Sequence, residues 1–380
     1  MNHNGKHATL SAALLLVSGG LLASVASAGA ERTATQLHWY RGNTHTHTFN
    51  SDGNESPDFV ARWYREHGYQ FVVITDHDFL TNVEPLNALY AAEGRFLVMR
   101  GEEVTQHLAD PTHPDGLRQA HVNAINITRV VMPIGDRRNP VPISRMTMAE
   151  TYQRNIAAIE SAGGVAQINH PNWQWSVRLE DLLPVPDPVL LEVWNGITFI
   201  NNLGGSDDAG NTALSTEALW DALLSRGKMV WGVGVDDSHK YHEFDDPDAA
   251  RPGQAWVVVR APELTPDAIS KALRRGDFYA STGIALDSYE INGKEIAINI
   301  KLPADPHPLL KRVTRYVTRF VGKDGRVLAE VPGLAPRYVV RGGEGYVRAS
   351  IIDSDGKRAW TQPAFFDGRK TPDSLKHEHE

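Results

Sequence analysis

The chain has 380 residues, of which 41% are hydrophobic and 22% charged, a composition typical of globular proteins and unlike that of disordered ones. Its net charge of -8 argues against a general binder of nucleic acids or anionic membranes. The sequence has no cysteine, so protein ligands of a metal ion must be histidine, aspartate or glutamate. The length exceeds one ordinary core and predicts one large domain with a smaller one.

The first residues have the pattern of a secretory signal peptide. Lys6 precedes an apolar run at 10–25, which ends in the small-residue sequence ASA at 26–28. Residues 1–28 are therefore predicted to be removed, which makes the mature net charge -9 (-8 minus the +1 of Lys6) and the protein periplasmic or secreted. The alternative is an uncleaved membrane anchor, which the SGG interruption at 18–20 and the shortness of the run disfavour.

Residues 37–283 alternate short apolar runs with amphipathic stretches, a pattern typical of α/β proteins. One helix is predicted to begin at Ser56 and Pro57, a cap followed by a first-turn proline, and to end at Gly68. The other helices are predicted at about 147–162, 214–226 and 265–275. The strands are predicted at 37–43, 70–75, 95–101, 120–127, 164–169, 189–194, 229–235 and 254–259.

Two segments rich in glycine, proline, asparagine or aspartate are predicted as long loops, 128–146 and 200–212. Long loops on an α/β scaffold are where substrate is usually contacted. From about residue 290 the sequence changes to short alternating runs separated by turns. This pattern predicts a small antiparallel, sandwich-like β domain at 290–368, followed by a polar tail at 369–380.

Residues able to bind a metal follow most of the predicted strands of the α/β region. The C-terminal ends of parallel strands meet on one face of a barrel, where the active sites of such folds lie. His121 differs, because it begins its predicted strand and reaches that face only if the strand runs antiparallel. Each motif alone is weak evidence, since an HxH pair is more often a surface pair, but together they predict a metal site. The residues at strand ends are His45, His47, Asp76, His77, Glu102, Glu103, His170, Asp236, Asp237 and His239.

Imidazole combined with carboxylate favours Zn²⁺, Mn²⁺ or Fe²⁺ over Ca²⁺ or Mg²⁺. The candidate ligands exceed the three or four that one catalytic zinc takes, so two or three ions are expected and one carboxylate must bridge. Such a cluster activates a bridging hydroxide and neutralises charge on a phosphoryl or carbonyl oxygen. The chain has no Gly-x-Ser-x-Gly elbow and no cysteine, so a covalent serine or thiol mechanism is not expected.

Taken in order, the motifs HxH, SDG, TDH, GxE, a single histidine, NHP and DxH resemble those of the PHP (polymerase and histidinol phosphatase) superfamily of metallohydrolases across residues 37–283. The later segments LTPDAISKALRRGDFYAST, EINGKE and GEGYVRASIIDSDGKRAWTQPAFF resemble the CehA/McbA-like branch. The resemblance implies a distorted (β/α)7 TIM-like barrel, a small β domain behind it and a trinuclear metal site.

Carried over to matching residues, the resemblance implies three metal positions. The GxE and DxH spacings select Glu103 and Asp237, and they leave Glu102, Asp236 and Asp76 to orient the ligands. The implied ligands are His45, His47, Glu103 and Asp237 for the first metal, Glu103 as a bridge with His121 and His170 for the second, and Asp52, His77 and His239 for the third.

The expected reaction is phosphoester hydrolysis by an exported enzyme, in which a metal-bridging hydroxide held by Glu103, Asp237 and His170 attacks phosphorus. The expected substrate is a small anionic phosphomonoester or phosphodiester, not a nucleic acid polymer. One alternative is hydrolysis of a carbamate, carboxyl ester or amide at the same site, and another is a non-catalytic, metal-stabilised binding protein. The candidate substrate contacts are Asn172, Trp173, Asn195 and Lys240.

Overall fold

A large mixed β-sheet positions the metal-binding candidates. The computed structural model describes residues 36–91, 94–302 and 315–369. The strands up to residue 281 are β1 His38–Asn43, β2 Phe71–Ile74, β3 Leu97–Ala109, β4 Leu117–Ile125, β5 Val141–Pro142, β6 Val165–Ile168, β7 Val189–Asn195, β8 Gly205–Ser206, β9 Thr212–Ala213, β10 Val230–Val235, β11 Trp256–Ala261 and β12 Phe278–Ser281. The later strands are β13 Ala285–Asn292, β14 Glu295–Lys301, β15 Tyr316–Gly322, β16 Arg326–Pro332, β17 Arg337–Val339, β18 Tyr346–Asp353, β19 Arg358–Thr361 and β20 Ala364–Phe365.

Helices lie between the strands where the sequence supplies caps. Ser56 begins the first helix by accepting a hydrogen bond from Phe59 N, and Thr147 forms a capping box with Glu150 in the third. The four predicted helices are confirmed, with ends that differ by a residue or two, whereas the second and fourth were not predicted. The helices are α1 Pro57–Glu66, α2 Glu84–Tyr90, α3 Met148–Ser161, α4 Leu179–Leu182, α5 Thr216–Ser225 and α6 Pro266–Arg275.

The central sheet has the strand order β10-β7-β6-β4-β3-β2-β1-β11-β12-β19-β18-β15-β16. β1, β2 and β3 are parallel neighbours, and so are β6, β7 and β10. β4 lies between these two groups and runs antiparallel to both β3 and β6. The sequence analysis required an antiparallel strand for His121 to reach the metal-binding face, and β4 meets this requirement. His121 pairs with Thr105, two residues beyond Glu103.

β3 is longer than the predicted strand at 95–101. It continues to Ala109 because it pairs with β4 from Gly101 onward. The prediction that Glu103 follows a strand end is therefore wrong, since Glu103 lies inside β3. The residue still reaches the expected edge, because His77, just beyond β2, forms a parallel bridge with it.

The predicted (β/α)7 barrel is not confirmed, because the regular pairing of the described strands does not close on itself. β10 stands at one end of the strand order and pairs with β7. Beyond the end of β10, Thr46 and Ser238 form a parallel bridge, and Asp237 N donates to His45 O at 3.1 Å. The chain is thus a mixed α/β protein with a large central sheet and few helices, and the closed barrel stays a prediction.

The described strands after β12 pair with one another and with β12 in antiparallel fashion. β19 pairs with β12 and so extends the central sheet, while β13, β14 and β17 form a separate three-stranded sheet. Apolar side chains of both sheets form a second buried cluster. Arg348, 1% exposed, forms an ion pair with Asp221 of α5 at 2.6 Å and ties this region to the helices. The division into domains at 37–283 and 290–368 stays a prediction.

Some predictions fall on residues outside the described parts of the chain. They are the signal peptide at 1–28 and, within the polar tail, residues 370–380. The predicted loop at 128–146 contains the short strand β5, and the predicted loop at 200–212 contains β8 and the first residue of β9, which pair as a hairpin. Among the helices of the described residues, none has the length and apolar character to cross a membrane.

Candidate metal centre

The side chains that the family resemblance implies as ligands converge at one edge of the sheet. The ends of β1, β2, β6 and β10 deliver their residues there, while β3 and β4 contribute Glu103 and His121 from within the strands. His121 joins the cluster through Glu103. In three groups the donor atoms all lie within 4.8 Å of one another: His45, Glu103 and His170; His45, His47 and Asp237; and His47, Asp52, His77 and His239.

Four donors surround one small space beside β1. His45 Nε2 lies 3.1 Å from Glu103 Oε2 and 3.1 Å from Asp237 Oδ1. His47 Nε2 lies 3.2 Å from each of the same two oxygens. A tetrahedral zinc ion with bonds of about 2.0–2.1 Å keeps its ligands roughly 3.3 Å apart. The types and spacing of these donors therefore fit one divalent cation.

Glu103 presents its second oxygen to two other histidines. Oε1 lies 2.9 Å from His121 Nδ1 and 3.1 Å from His170 Nε2. Asn169, the first residue of the NHP motif, for which no role was predicted, donates to the same oxygen at 2.9 Å. The Glu103 side chain is 1% exposed. One buried carboxylate thus faces two separate sets of imidazoles, which is the arrangement of a bridging ligand.

Asp52 lies on the solvent side of the cluster. Its Oδ1 is 3.3 Å from His239 Nε2 and 3.5 Å from His47 Nδ1, and its Oδ2 is 3.5 Å from His77 Nε2. The Asp52 side chain is 55% exposed. The donors of this third group are therefore more widely spaced and more hydrated than those around Glu103, and a cation held there would keep room for water ligands.

Several imidazoles are anchored by a hydrogen bond at one ring nitrogen, while the other nitrogen faces a donor group. Such bonds fix the tautomer and leave the lone pair of the opposite nitrogen available to a metal. The anchoring contacts are His45 Nδ1 to Glu192 Oε1 at 2.6 Å, His77 Nδ1 to Thr105 Oγ1 at 2.6 Å, His121 Nε2 to Gln119 Oε1 at 3.0 Å and His239 Nδ1 to Asp237 O at 2.8 Å. For His77 the anchored Nδ1 also lies 3.3 Å from Glu103 Oε2.

These contacts test whether the donors fit a metal. With His45 Nδ1 donating to Glu192, the lone pair on His45 Nε2 faces two carboxylate oxygens, an arrangement that is repulsive unless a cation or a second proton lies between them. His47 Nε2 is buried and has no hydrogen-bond partner among the described residues. Imidazoles and carboxylates in this arrangement fit divalent ions such as Zn²⁺, Mn²⁺ or Fe²⁺.

Burial and the charged neighbours shift the pKa values of the side chains in the cluster. Burial would raise the pKa of Glu103, but the neighbouring histidines, His45 first, hold it well below its usual value. Burial would lower the pKa of His47, but the carboxylates of Asp237 and Glu103, each 3.2 Å from Nε2, outweigh it and raise this pKa to about 10. Burial lowers the pKa of His121 to about 4 even though Glu103 opposes the shift. His121 is thus neutral and ready to bind a metal, whereas His47 must first release a proton.

Glu192 is a residue that the sequence interpretation missed. It lies in β7 with its side chain 1% exposed, and it accepts hydrogen bonds from His45 Nδ1, Gln167 Nε2, His170 N and Asn195 Nδ2. Its position inside the apolar run VLLEVW was a usable signal, because a buried glutamate is rarely tolerated without partners. Glu192 connects the two histidine sets on either side of Glu103.

Asp237 has an unusual backbone conformation. Its φ of 51° lies in the left-handed region, which is costly for a residue other than glycine. The conformation is held by the bond from Asp237 N to His45 O at 3.1 Å and by Asn195 Nδ2, which donates to Asp237 Oδ2 at 3.0 Å. The surrounding residues thus stabilise a strained turn that presents Asp237 Oδ1 to both His45 and His47.

Asp76, predicted to orient ligands, organises the segment that leads to Asp52. It accepts hydrogen bonds from Thr48 N and Thr48 Oγ1 and from the hydroxyls of Ser51 and Thr81, at 2.6–3.0 Å. A carboxylate with this many donors is fixed in place, and it fixes the chain that supplies them. Asp76 therefore positions the residue just before Asp52.

Asp236 and Glu102, the other predicted orienting residues, are buried beside candidate ligands. Asp236 accepts bonds from the Tyr64 hydroxyl and from the backbone N–H groups of 253–255, and burial raises its pKa to about 6. Glu102 accepts a bond from Val131 N at 2.8 Å, and burial raises its pKa to about 7. Both carboxylates connect the strand edge to adjacent loops.

A cavity of about 410 Å³ opens above the donor groups. Of the four predicted substrate contacts, Trp173 and Lys240 line it. Asn172 and Asn195 do not line this cavity among the described residues. Asn172 Nδ2 instead donates to Asn201 O at 2.8 Å, and Asn195 donates to side chains below the cavity. Two of the four side chains therefore line the cavity and two bond to residues around it, and their contact with a substrate stays a prediction.

No protein-family model matches the chain, and no curated protein is similar to it. One similar solved structure is a two-domain protein from Bacteroides vulgatus containing a predicted PHP-like metal-dependent phosphoesterase, with 15% identity and a TM-score of 0.43 over 83% of this chain and 90% of that chain. A second is a candidate metal-dependent phosphoesterase from Bifidobacterium adolescentis, with 17% identity and a TM-score of 0.34 over 52% of this chain and 87% of that chain.

A third is an amidohydrolase from Chromobacterium violaceum with bound sulfate and no metal, with 14% identity and a TM-score of 0.33 over 55% of this chain and 89% of that chain. These similarities do not address the CehA/McbA-like branch.

Proposed function

We propose that the chain is a metal-dependent hydrolase that acts on phosphoesters at a site for two or three divalent cations. The observation that carries this proposal is the buried carboxylate of Glu103, whose two oxygens face separate sets of imidazoles at 2.9–3.2 Å. When bound, cations shared by such a carboxylate supply an activated water and neutralise charge on a phosphoryl oxygen and on the leaving oxygen.

The chain itself supplies the rigid surroundings of the reaction. His45, His47 and Asp237 form the buried floor of the site, with side chains at most 5% exposed, so bulk water is excluded there. The Asp52 group forms the open side, where a substrate enters. Lys240 lines the cavity and offers a positive charge to an anionic oxygen of the substrate.

Hydrolysis of a carbamate, carboxyl ester or amide is the second candidate. It is favoured by the cavity charge, because Glu243, Asp246 and Asp248 line the cavity together with Lys240. Because the side chains around the cavity carry more negative than positive charge, they favour a substrate that is less anionic than a phosphomonoester. The same donor set can polarise a carbonyl oxygen in place of a phosphoryl oxygen.

An activity panel tests the proposed reaction. The purified chain, loaded with Zn²⁺ or Mn²⁺, is assayed on p-nitrophenyl phosphate, bis(p-nitrophenyl) phosphate and p-nitrophenyl N-methylcarbamate, with and without chelator. We expect phosphoester hydrolysis that chelator removes and that His47→Ala and Asp237→Ala abolish, while His38→Ala, at an exposed histidine, retains it. Wild-type rates in the two ligand variants would refute the catalytic site.

The same experiment separates the alternatives. Faster turnover of the carbamate would favour the second candidate. Metal binding without turnover of any substrate would favour a non-catalytic, metal-stabilised protein. Elemental analysis that finds fewer than one metal ion per chain, in protein never exposed to chelator, would contradict a multinuclear site.

We also propose that the protein is exported, on the basis of the signal-peptide pattern at 1–28. Protein recovered from the periplasm or culture medium should begin at Gly29 when its N-terminus is sequenced. A full-length N-terminus on membrane-bound protein would contradict cleavage and favour the uncleaved anchor.

A further inference from the structure

The cavity above the donor groups has two walls of opposite character. One wall is apolar and is formed by Trp173, Ile197, Phe199 and Ile200. The other wall is acidic, with three carboxylates and one ammonium group, and is formed by Glu243, Asp246, Asp248 and Lys240.

The apolar wall begins at a candidate metal ligand. The His170 ring is 6.4 Å from Trp173 in an edge-on arrangement, and Trp173 is 5.5 Å from Phe199. Phe199 is 49% exposed, although a large apolar side chain gains by burial. An apolar surface that runs from the reaction centre to an exposed ring is suited to an apolar substituent of the substrate.

The backbone holds this wall in place. Gln174 and Trp175 follow Trp173 with φ of 46° and 54°, in the left-handed region that is costly for such residues. Asn172, just before Trp173, donates to the carbonyls of Asn201 and Leu214 at 2.8 Å and so connects the two segments that carry the rings. Asn172 therefore acts as a positioning residue for the apolar wall.

The acidic wall adds a charge preference. Asp248 accepts a hydrogen bond from Thr198 Oγ1 at 3.0 Å, next to Phe199, so the acidic and apolar walls are joined at the rim. A negatively charged substituent lying on the apolar wall would share the cavity with these carboxylates and be repelled by them, most strongly at low ionic strength.

We propose that Trp173 and Phe199 form a specificity subsite for a flat, apolar group of the substrate that carries no negative charge. This inference rests on the proposed function and narrows it. The substrate carries its negative charge at the reacting group, and its other substituent is neutral. Esters with further negative charges away from the reacting group, such as nucleoside triphosphates and sugar bisphosphates, are excluded.

Binding of phosphonates, which are not hydrolysed, tests this subsite. Methylphosphonate, phenylphosphonate and 4-carboxyphenylphosphonate are titrated into the Zn²⁺-loaded chain by calorimetry at low salt. We expect phenylphosphonate to bind about tenfold more tightly than methylphosphonate, because its ring is buried against two aromatic side chains. Because of its added carboxylate, 4-carboxyphenylphosphonate should bind at least about threefold more weakly than phenylphosphonate.

Variants assign the effects to the walls. Phe199→Ala should bring the affinities for phenylphosphonate and methylphosphonate together, whereas Leu203→Ala, at a 69% exposed site that does not line the cavity, should preserve their ratio. The double variant Glu243→Gln with Asp246→Asn should bind 4-carboxyphenylphosphonate more tightly than wild type. Asp245→Asn, an exposed neighbour that does not line the cavity, should not.

The outcomes separate this inference from the proposed function. Equal affinities of the wild type for methylphosphonate and phenylphosphonate would overturn the subsite and leave the metal-dependent reaction standing. Failure of both phosphonates to bind in a Zn²⁺-dependent manner would overturn the proposed function and the subsite together. If Phe199→Ala keeps the wild-type ratio of phenylphosphonate to methylphosphonate affinity, the aromatic side chain does not bind the ring and the proposed subsite is overturned.

Discussion

Substitution of Glu192 by glutamine tests whether the histidines are held in place for a metal. The change keeps the shape of the side chain and removes its charge. Glu192 accepts bonds from His45 Nδ1 at 2.6 Å and Gln167 Nε2 at 3.1 Å on one oxygen, and from His170 N at 2.7 Å and Asn195 Nδ2 at 3.0 Å on the other. Glutamine has one acceptor oxygen, so its NH₂ group must face two of these donors. At least one buried N–H therefore loses its acceptor in either orientation of the amide.

The expected magnitudes follow from these contacts. An unsatisfied buried donor costs about 1–3 kcal/mol, so the free energy of unfolding should fall by that amount. Loss of the carboxylate behind a metal-binding imidazole lowers metal affinity about 10–100-fold, which corresponds to about 1.4–2.7 kcal/mol. Glu192→Gln should therefore weaken both folding and metal binding.

Two assays measure these effects separately. Competition with a chromogenic chelator gives the Zn²⁺ affinity, and urea denaturation of the metal-free chain gives the free energy of unfolding. Glu160→Gln, at an exposed position near the end of α3, is the matched control. If Glu192→Gln binds Zn²⁺ with wild-type affinity, the idea that Glu192 orients His45 for a metal is refuted, even where stability falls.

Four further predictions follow from other contacts. Glu103→Gln removes the shared carboxylate, so elemental analysis should find at least one metal ion per chain fewer than in the wild type, and an unchanged metal content would contradict the bridging role. Asp52→Asn should lower the metal content by one ion at most, because this carboxylate is 55% exposed and lies at the open side of the cluster. Complete loss of metal would contradict a separate donor group around Asp52. Asp221→Ala leaves the charge of buried Arg348 undercompensated and should lower the free energy of unfolding by about 3 kcal/mol or more. The control Asp267→Ala breaks an exposed pair and should cost about 0–1 kcal/mol, so equal losses would contradict the buried-pair argument. Chelator should lower the thermal midpoint, since a ligand at 100 times its Kd stabilises by about 2.7 kcal/mol, and an unchanged midpoint would argue against resident metals.

The sequence by itself determined the features that depend on neighbouring residues. The cap at Ser56 and the capping box at Thr147 depend on hydrogen bonds that span three residues, so the helix starts could be predicted. Most of the side chains of the candidate metal centre were also identifiable, because they follow apolar runs and the ends of parallel strands meet at one edge of a sheet. Asp52 could be included only through the order of motifs, since it lies in a turn.

The tertiary structure decided what depends on pairing between distant residues. The direction of β4 brings His121 to Glu103, and the pairing of β3 with β4 extends β3 past that glutamate. Glu192 and His45 are 147 residues apart, so no local pattern could reveal that one anchors the other. The alternation of a strand shows which residues share a face but not which partner faces them, because register and direction are settled only when the strands pair.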